Sequence, residues 1–373
     1  MAQSPWLGHQ FALANPDAVR SPSLLIYRAA LQRNIDRVLG IAGDADRVRP
    51  HIKTHKSRAV LAMQRKAGMT RFKCATLAEA ELLAGEGVED VMVAYQMVGP
   101  NVARLVELAK SYRKTRFGVL IDCTTALAAL GEAASKAKVT VGAFLDLDVG
   151  QGRTGVAPAA AAELYRQMAA TAGVAAAGIQ IYDGHNHQSS LDERQAAVDG
   201  CYAAMAAVRE ELAADGVDCA EVVAGGSPTF PCYAKYDDVV LSPGTVFLND
   251  GGYQSRFPDL PFEIGATMFT RVVSTPLADS FTLDLGTKAI ATDPEVRGSI
   301  VGLGDDVEPL THNEEHWRFR LLDPEIPRPE VGDSMYVVPT HICPTVNLQT
   351  ELQVVGAGGR VEEVWSVDAR HRI

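Results

Sequence analysis

The chain has 373 residues, 47% of them hydrophobic and 22% charged, with a formal net charge of −11. That balance belongs to a folded protein with a large core, long enough for two domains or for one large barrel with an addition. It excludes a general nucleic-acid binder, and no apolar run is long enough to cross a membrane.

Met1 to Asn15 lacks a basic region followed by an apolar run, so a signal peptide is not expected. Six cysteines, at 74, 123, 201, 219, 232 and 343, form no CxxC pair. A zinc ribbon or redox dithiol is therefore not indicated, and reduced thiols in a cytoplasmic protein are the simplest reading.

In chain order, residues 1–20 read as an irregular lead-in that packs with a C-terminal β domain. Ser23 to Tyr27 is a compact apolar run, expected as a buried strand, and Ala29 to Ala42 has helical spacing. Asp46 to Arg49 reads as a short strand, followed by a helix over 57–68. Then strands and helices alternate. Strands are expected at 72–75, 91–94, 118–121, 143–148, 178–182, 222–225 and 239–241. Helices are expected at 77–84, 100–112, 124–136, 158–172 and 193–215.

The strands are almost continuously apolar, as in a parallel sheet covered on both faces. About eight repeats over roughly 230 residues fit a (β/α)8 TIM-type barrel. A doubly wound sheet is the alternative, but no GxGxxG follows the first strand. After about residue 260 the texture becomes β-rich, with strands expected at 267–273, 280–285, 317–321, 334–338 and 352–355. The expected division is a barrel over 21–258 and a mostly antiparallel β domain over 259–373.

Arg49-Pro50-His51-Ile52-Lys53-Thr54-His55-Lys56 concentrates basic groups after a strand. Period-2 spacing would point His51, Lys53 and His55 to one side. Positive neighbours disfavour an ammonium, which suits a Schiff-base lysine at 53. A solvated basic loop is the plain alternative.

In a (β/α)8 barrel, chemistry sits at the C-terminal ends of the strands. Those ends here carry Lys53, Arg153, Tyr182 with His185 and His187, Gly225-Gly226-Ser227, and Ser242-Pro243-Gly244-Thr245. The two glycine turns can direct backbone N–H groups at a phosphate. Either His185 or His187 can serve as a general base, and a polar loop is the alternative. In the β domain, His341 and Cys343 lie two apart on a segment expected to be extended. They can hold a borderline-soft divalent metal, with Asp284, Asn313, Glu314 and His316 as possible supporting partners. A buried Cys beside a hydrogen-bonded His is the alternative.

Taken as an ordered set, several motifs resemble the D-threonine aldolase/D-serine dehydratase family of fold-type III pyridoxal-phosphate enzymes. They are Arg49-Pro50-His51-x-Lys53-x-His55-Lys56, Asp148-Val149-Gly150-Gln151-Gly152-Arg153-x-Gly155, Tyr182-x-Gly184, Gly225-Gly226, Pro243-Gly244, Glu315-His316 and His341-x-Cys343-Pro344-Thr345. The resemblance implies an alanine-racemase-like barrel followed by a β domain. It implies pyridoxal 5'-phosphate on Lys53, held by His51, Arg153, Tyr182, Gly225, Gly226, Ser227, Gly244 and Thr245. It implies a divalent metal (Zn, Mn or Mg) at His341 and Cys343, a small D-amino acid substrate and a homodimer.

Lys53, His187, His185 and His55 are the candidate catalytic residues. Within the family, aldolases carry His-x-Asp-Pro-Thr-x-Asn-Leu at the metal, and dehydratases carry His-x-Cys followed by Ala-Thr. This chain has the dehydratase-type Cys343 inside the aldolase-type Pro344-Thr345-Val346-Asn347-Leu348. At the position of the aldolase base stands Gln188. The expected activity is retro-aldol cleavage of D-threonine-type substrates to glycine and an aldehyde, with dehydration of D-serine or D-hydroxyaspartate to a 2-oxo acid and ammonia as the alternative. Racemization or cofactor binding without turnover are the remaining alternatives.

Overall fold

The computed structural model describes residues 9–372. It divides into two compact units: the chain up to Asp36 with Thr245–Asp368, and Arg37–Gly244 with the last residues from Ala369. The strands, in chain order, are β1 (Ser23–Tyr27), β2 (Arg71–Cys74), β3 (Asp90–Val93), β4 (Arg116–Ile121), β5 (Val141–Leu147), β6 (Val174–Ile181), β7 (Val222–Ala224) and β8 (Val239–Leu241). In the β-rich part they are β9 (Ala266–Leu277), β10 (Ser280–Leu283), β11 (Gly298–Ile300), β12 (Val307–His312), β13 (Trp317–Leu321), β14 (Ser334–Pro339), β15 (Glu351–Val355) and β16 (Val361–Ser366).

Strands β2 to β8 form one seven-stranded parallel sheet in sequence order, with helices between them. This is the parallel barrel expected from the strand–helix rhythm, with seven regular strands in place of eight. The strands are buried almost throughout, which is why they read as unbroken apolar runs. The helix Leu77–Gly85 starts where Thr76 Oγ1 accepts the Glu79 N–H at 3.1 Å and Glu79 Oε2 accepts the Ala75 N–H at 2.7 Å. The two side chains satisfy exposed amides at its first turn.

The eighth position of the cylinder is filled by an irregular stretch. Residues 45–47 form a 3-10 turn, not the expected strand. Val48 then bridges to Leu241 and His51 bridges to Lys73, so the stretch from 48 to 51 lies between β8 and β2. Pro50 has no N–H to donate, and its carbonyl accepts from Lys73 at 2.9 Å.

The apolar run expected to open the barrel belongs to the other unit. Strand β1 pairs antiparallel with β9 and parallel with β15. A buried strand carries the same apolar signature in either sheet, so composition does not assign it. The β unit is a nine-stranded sheet whose other pairings are antiparallel. Phe11, Leu13 and Val19 of the lead-in are buried with Leu25, Phe269 and Tyr336 of this unit. Residues 1–8 of the expected lead-in lie outside the described residues. No disulfide joins the six cysteines, all of which are described, and no described helix is long and apolar enough to cross a membrane.

At the N-terminal end of the barrel, the fully buried Arg49 donates to Asp90 Oδ1 at 2.6 Å and to Glu221 Oε1 at 2.8 Å. Glu221 also accepts from Arg71 at 2.8 Å, and Asp90 from Arg116 at 3.1 Å. Removing the shared guanidinium would take one of its two cationic partners from each carboxylate and leave the fully buried place of Arg49 to be refilled. Arg49→Met is therefore expected to destabilize the protein by about 3 kcal/mol. The denaturant midpoint measures this; a change within about 0.5 kcal/mol, typical of surface positions, would refute it.

Candidate functional site

Within the parallel-sheet unit, most of the residues singled out at strand ends converge on the C-terminal end of the barrel. Lys53 sits in a 3-10 turn over Ile52–Thr54, and this turn changes the expected geometry. His51 Nδ1 accepts the Lys53 N–H at 3.3 Å. His55 turns instead toward the helix Arg58–Lys66, where its Nδ1 accepts the Ser57 N–H at 3.2 Å. His51, Lys53 and His55 therefore do not share one face, because a 3-10 turn repeats every three residues rather than two. Burial keeps His55 neutral, with its pKa lowered to about 3. Burial, followed by the charges of Lys53, Lys73 and Lys56, holds His51 well below the ordinary imidazole range. Lys56 is itself buried and paired with Glu79.

Around Lys53 the rim is built from small turns. The Arg153 guanidinium lies 5.0 Å from the centroid of the Tyr182 ring. A Cβ at Gly226 would stand 3.0 Å from that ring. Gly225 has φ +80°, and a Cβ there would meet the Phe230 backbone at 3.1 Å. The Gly244 N–H donates to Ser227 Oγ at 3.3 Å, and a Cβ at Gly244 would meet His51 at 3.2 Å. A primary amine, excess positive charge, a buried serine hydroxyl and glycine turns that leave room for a ligand fit an anionic aromatic aldehyde.

Behind the rim, Lys73 Nζ donates to Gln180 Oε1 at 3.2 Å, and Asp146 Oδ2 accepts from Thr154 Oγ1 at 2.8 Å. Sequence reasoning missed these three residues. Their signal is a polar residue in an otherwise apolar strand. Asp183 was missed as well. Its carboxylate accepts from Thr229 Oγ1 at 2.8 Å and from Asn186 Nδ2 at 3.1 Å. It ties the glycine turn to the histidine loop, since Thr229 Oγ1 also accepts the Gly226 N–H at 3.1 Å. On that loop His185 packs on Gly150, where a Cβ would lie 3.1 Å from its Nε2, and His187 is exposed.

In the other unit, His341 precedes a short helix, Ile342–Leu348, so the expected extended segment ends at His341. Cys343 lies in the first turn of that helix, where its Sγ is 3.4 Å from Thr245 Oγ1. His341 Nδ1 is 2.5 Å from Asp293 Oδ2. Burial opposes the imidazolium, but Cys343 and then Asp293 outweigh it and raise the His341 pKa to about 9.

Asp293 was not foreseen, lying far from His341 in sequence. Asp284 is engaged by Ser21, Thr270 and Arg271, and Glu314 by Lys288. Among the described residues no group of three or more His, Cys, Asp or Glu gathers as a metal cage. His341 and Cys343 fit a cation site with two protein donors, an imidazole and a sulfur, the rest of the shell left to water or substrate.

Comparison with known proteins gives a consistent result. Residues 26–248 match the alanine racemase N-terminal domain, and residues 265–355 match a serine dehydratase domain. The chain is 29% identical to the D-threonine aldolase of an Arthrobacter species, over 94% of this chain and 93% of that protein. It is 30% identical to the 3-hydroxy-D-aspartate aldolase of Paracoccus denitrificans strain Pd 1222, over 94% and 92%. The crystal structure of D-threonine aldolase from Filomicrobium marinum superposes with a TM-score of 0.89 at 26% identity, covering 100% of both chains.

Lys73 gives the site a measurable pH signature. Burial, then the charge of Lys53, lowers its pKa from 10.5 to about 7. In the unfolded chain it keeps the ordinary value. Above 10.5 both states are neutral and folding bears no penalty. As pH falls toward 7 the unfolded state takes up the proton first, so stability is lost, and below about 7 the loss levels off. The cofactor-free Lys73→Met variant should therefore gain on the parent between pH 10 and 7, with no further gain below. Denaturant midpoints across that range report this. A parent–variant difference that stays flat with pH would rule it out.

Proposed function

The chain belongs to the alanine-racemase-type, fold-type III pyridoxal-phosphate enzymes that include the D-threonine aldolases, and from that premise we propose a metal-assisted lyase of D-β-hydroxy-α-amino acids. The reaction is retro-aldol cleavage of D-threonine-type substrates to glycine and an aldehyde. The observation that carries this reading is the amine of Lys53 set among His51, Lys73 and two glycine turns at the C-terminal end of the barrel. Similarity to two aldolases across nearly the whole chain supports cleavage.

Pyridoxal phosphate, when bound, supplies an electron sink at the substrate's α-carbon. Lys53 would hold it through its amine, and the Gly225-Gly226-Ser227 and Gly244 turns would receive the phosphate. Arg153 and Tyr182 would flank the ring. A divalent metal at His341 and Cys343 would lower the pKa of the substrate's β-hydroxyl as a Lewis acid. His185 or His187 would take the hydroxyl proton as the Cα–Cβ bond breaks. His55 has a positioning role in this reading, because its Nδ1 is committed to Ser57.

Dehydration to a 2-oxo acid and ammonia is the second reading. It is favoured by Cys343 at the metal position and by the serine dehydratase match over 265–355.

Product analysis separates the two. Incubation with D-threonine should give glycine and acetaldehyde; 2-oxobutyrate and ammonia would overturn cleavage in favour of dehydration. Lys53→Ala should abolish the cofactor's near-visible absorbance, and retained absorbance would refute the assignment of Lys53. Replacing the acting histidine, 185 or 187, with alanine should lower kcat by about 10²- to 10⁴-fold. Chelation should abolish turnover and added metal restore it; indifference to chelator would return His341 and Cys343 to a structural role.

A further inference from the structure

The barrel has a second opening, at the end opposite Lys53. A cavity of about 700 Å³ lies among the N-terminal ends of β3 to β7. It exists because one layer of the barrel interior is only half filled. Gly118 of β4, Gly142 of β5 and Ala175 of β6 stand side by side in register. Bulky branched residues ordinarily fill such a layer. Two residues further along, Leu120 and Phe144 close the interior together with Met92 and Val223. That apolar plug forms the floor of the cavity and separates it from the cofactor end.

The wall opposite the small residues is charged. Arg49, Arg71, Arg113 and Arg116 line the cavity, against two carboxylates, Asp90 and Glu221. Both carboxylates are already shared between two guanidiniums. Arg113 is exposed and makes no ion pair among the described residues, and the Arg116 side chain is 81% exposed. The Nε of the fully buried Arg49 has no hydrogen-bond partner. The lining therefore keeps two positive charges in excess and an unfilled donor above an apolar floor.

We propose that this cavity binds a small organic carboxylate with an apolar body, independently of the cofactor site. The carboxylate lies in the planar forks of Arg113 and Arg116, which match its geometry. The apolar body rests over Gly142, Ala175 and Ala177, beside the Phe144 ring, which itself covers Gly118. The volume suits a ligand of amino-acid to drug size.

The test uses the protein loaded with pyridoxal phosphate and 4-phenylbutyrate as probe, followed by titration calorimetry. Saturable binding is expected. It should weaken at least about tenfold in the double variant Arg113→Gln/Arg116→Gln, which removes the charge-assisted pair. It should be lost in Ala175→Leu, which fills the cavity. Cofactor absorbance should match the parent in both variants. Absence of saturable binding would overturn the proposal, as would equal affinity in the double variant. Inorganic phosphate probes charge alone, and an affinity equal to that of phenylbutyrate would also overturn it.

Discussion

The barrel unit depends on a seam made by three backbone hydrogen bonds. Arg49 N–H donates to Leu241 O at 2.8 Å, His51 N–H to Pro243 O at 2.8 Å, and Lys73 N–H to Pro50 O at 2.9 Å. They lock an irregular stretch into the place of the missing strand between β8 and β2. Arg49 and His51 are two apart on this stretch and serve opposite ends of the barrel. Arg49 anchors the carboxylates of the N-terminal layer, and His51 meets Lys53 and Gly244 at the C-terminal rim. One short segment thus fixes the buried ion cluster and the turn that carries Lys53. A slip of one residue would exchange the two faces.

How much of this can be read from the sequence depends on where each signal resides. The barrel's helices and central strands are legible because apolar periodicity is a local property, and the expected and observed bounds differ by only a few residues. Strand β1 shows the limit. Its Leu24-Leu25-Ile26 core is fully buried, and its partners lie some 250 to 330 residues away in β9 and β15, so its sheet is decided by tertiary contacts. Strands β12 and β16 escaped notice for a different reason. They are largely exposed, so they lack the apolar run that marks a strand.

The site divides along the same line. Lys53, Arg153, Tyr182 and the glycine turns stand at strand ends, where an unusual residue type is conspicuous. Lys73, Asp146 and Gln180 sit inside strands, and only the closed sheet shows that they point to the same interior. The convergence of Asp293 on His341, across 48 positions, has no local trace. The 3-10 turn at Ile52–Thr54 is equally silent. His-x-Lys-x-His suggests alternation, yet the backbone tightens there and Lys56 takes a left-handed conformation with φ 52°. This lets Ser57 begin the next helix and sends His55 inward. Backbone strain of this kind gathers where a site must be held in one geometry.

Under the proposed reading, the sulfur of Cys343 has consequences for how the work is shared. A thiolate gives more electron density to a cation than a carboxylate does, and it selects softer ions such as zinc over magnesium. The contact of His341 with Asp293 would act in the same direction, because a carboxylate on one ring nitrogen raises the basicity of the other. Both effects would leave a cation held by His341 and Cys343 a weaker Lewis acid than one held with a carboxylate in place of the thiolate. Cleavage of a β-hydroxy amino acid needs the hydroxyl to give up its proton, and a weaker Lewis acid activates it less. The deficit falls on the histidine loop, whose position is set by the buried carboxylate of Asp183 through Asn186, and through Thr229 to the glycine turn. With a cation held there, His185 or His187 would carry more of the proton transfer, and the rigidity of the Asp183 hub that holds their loop would then bear on the rate.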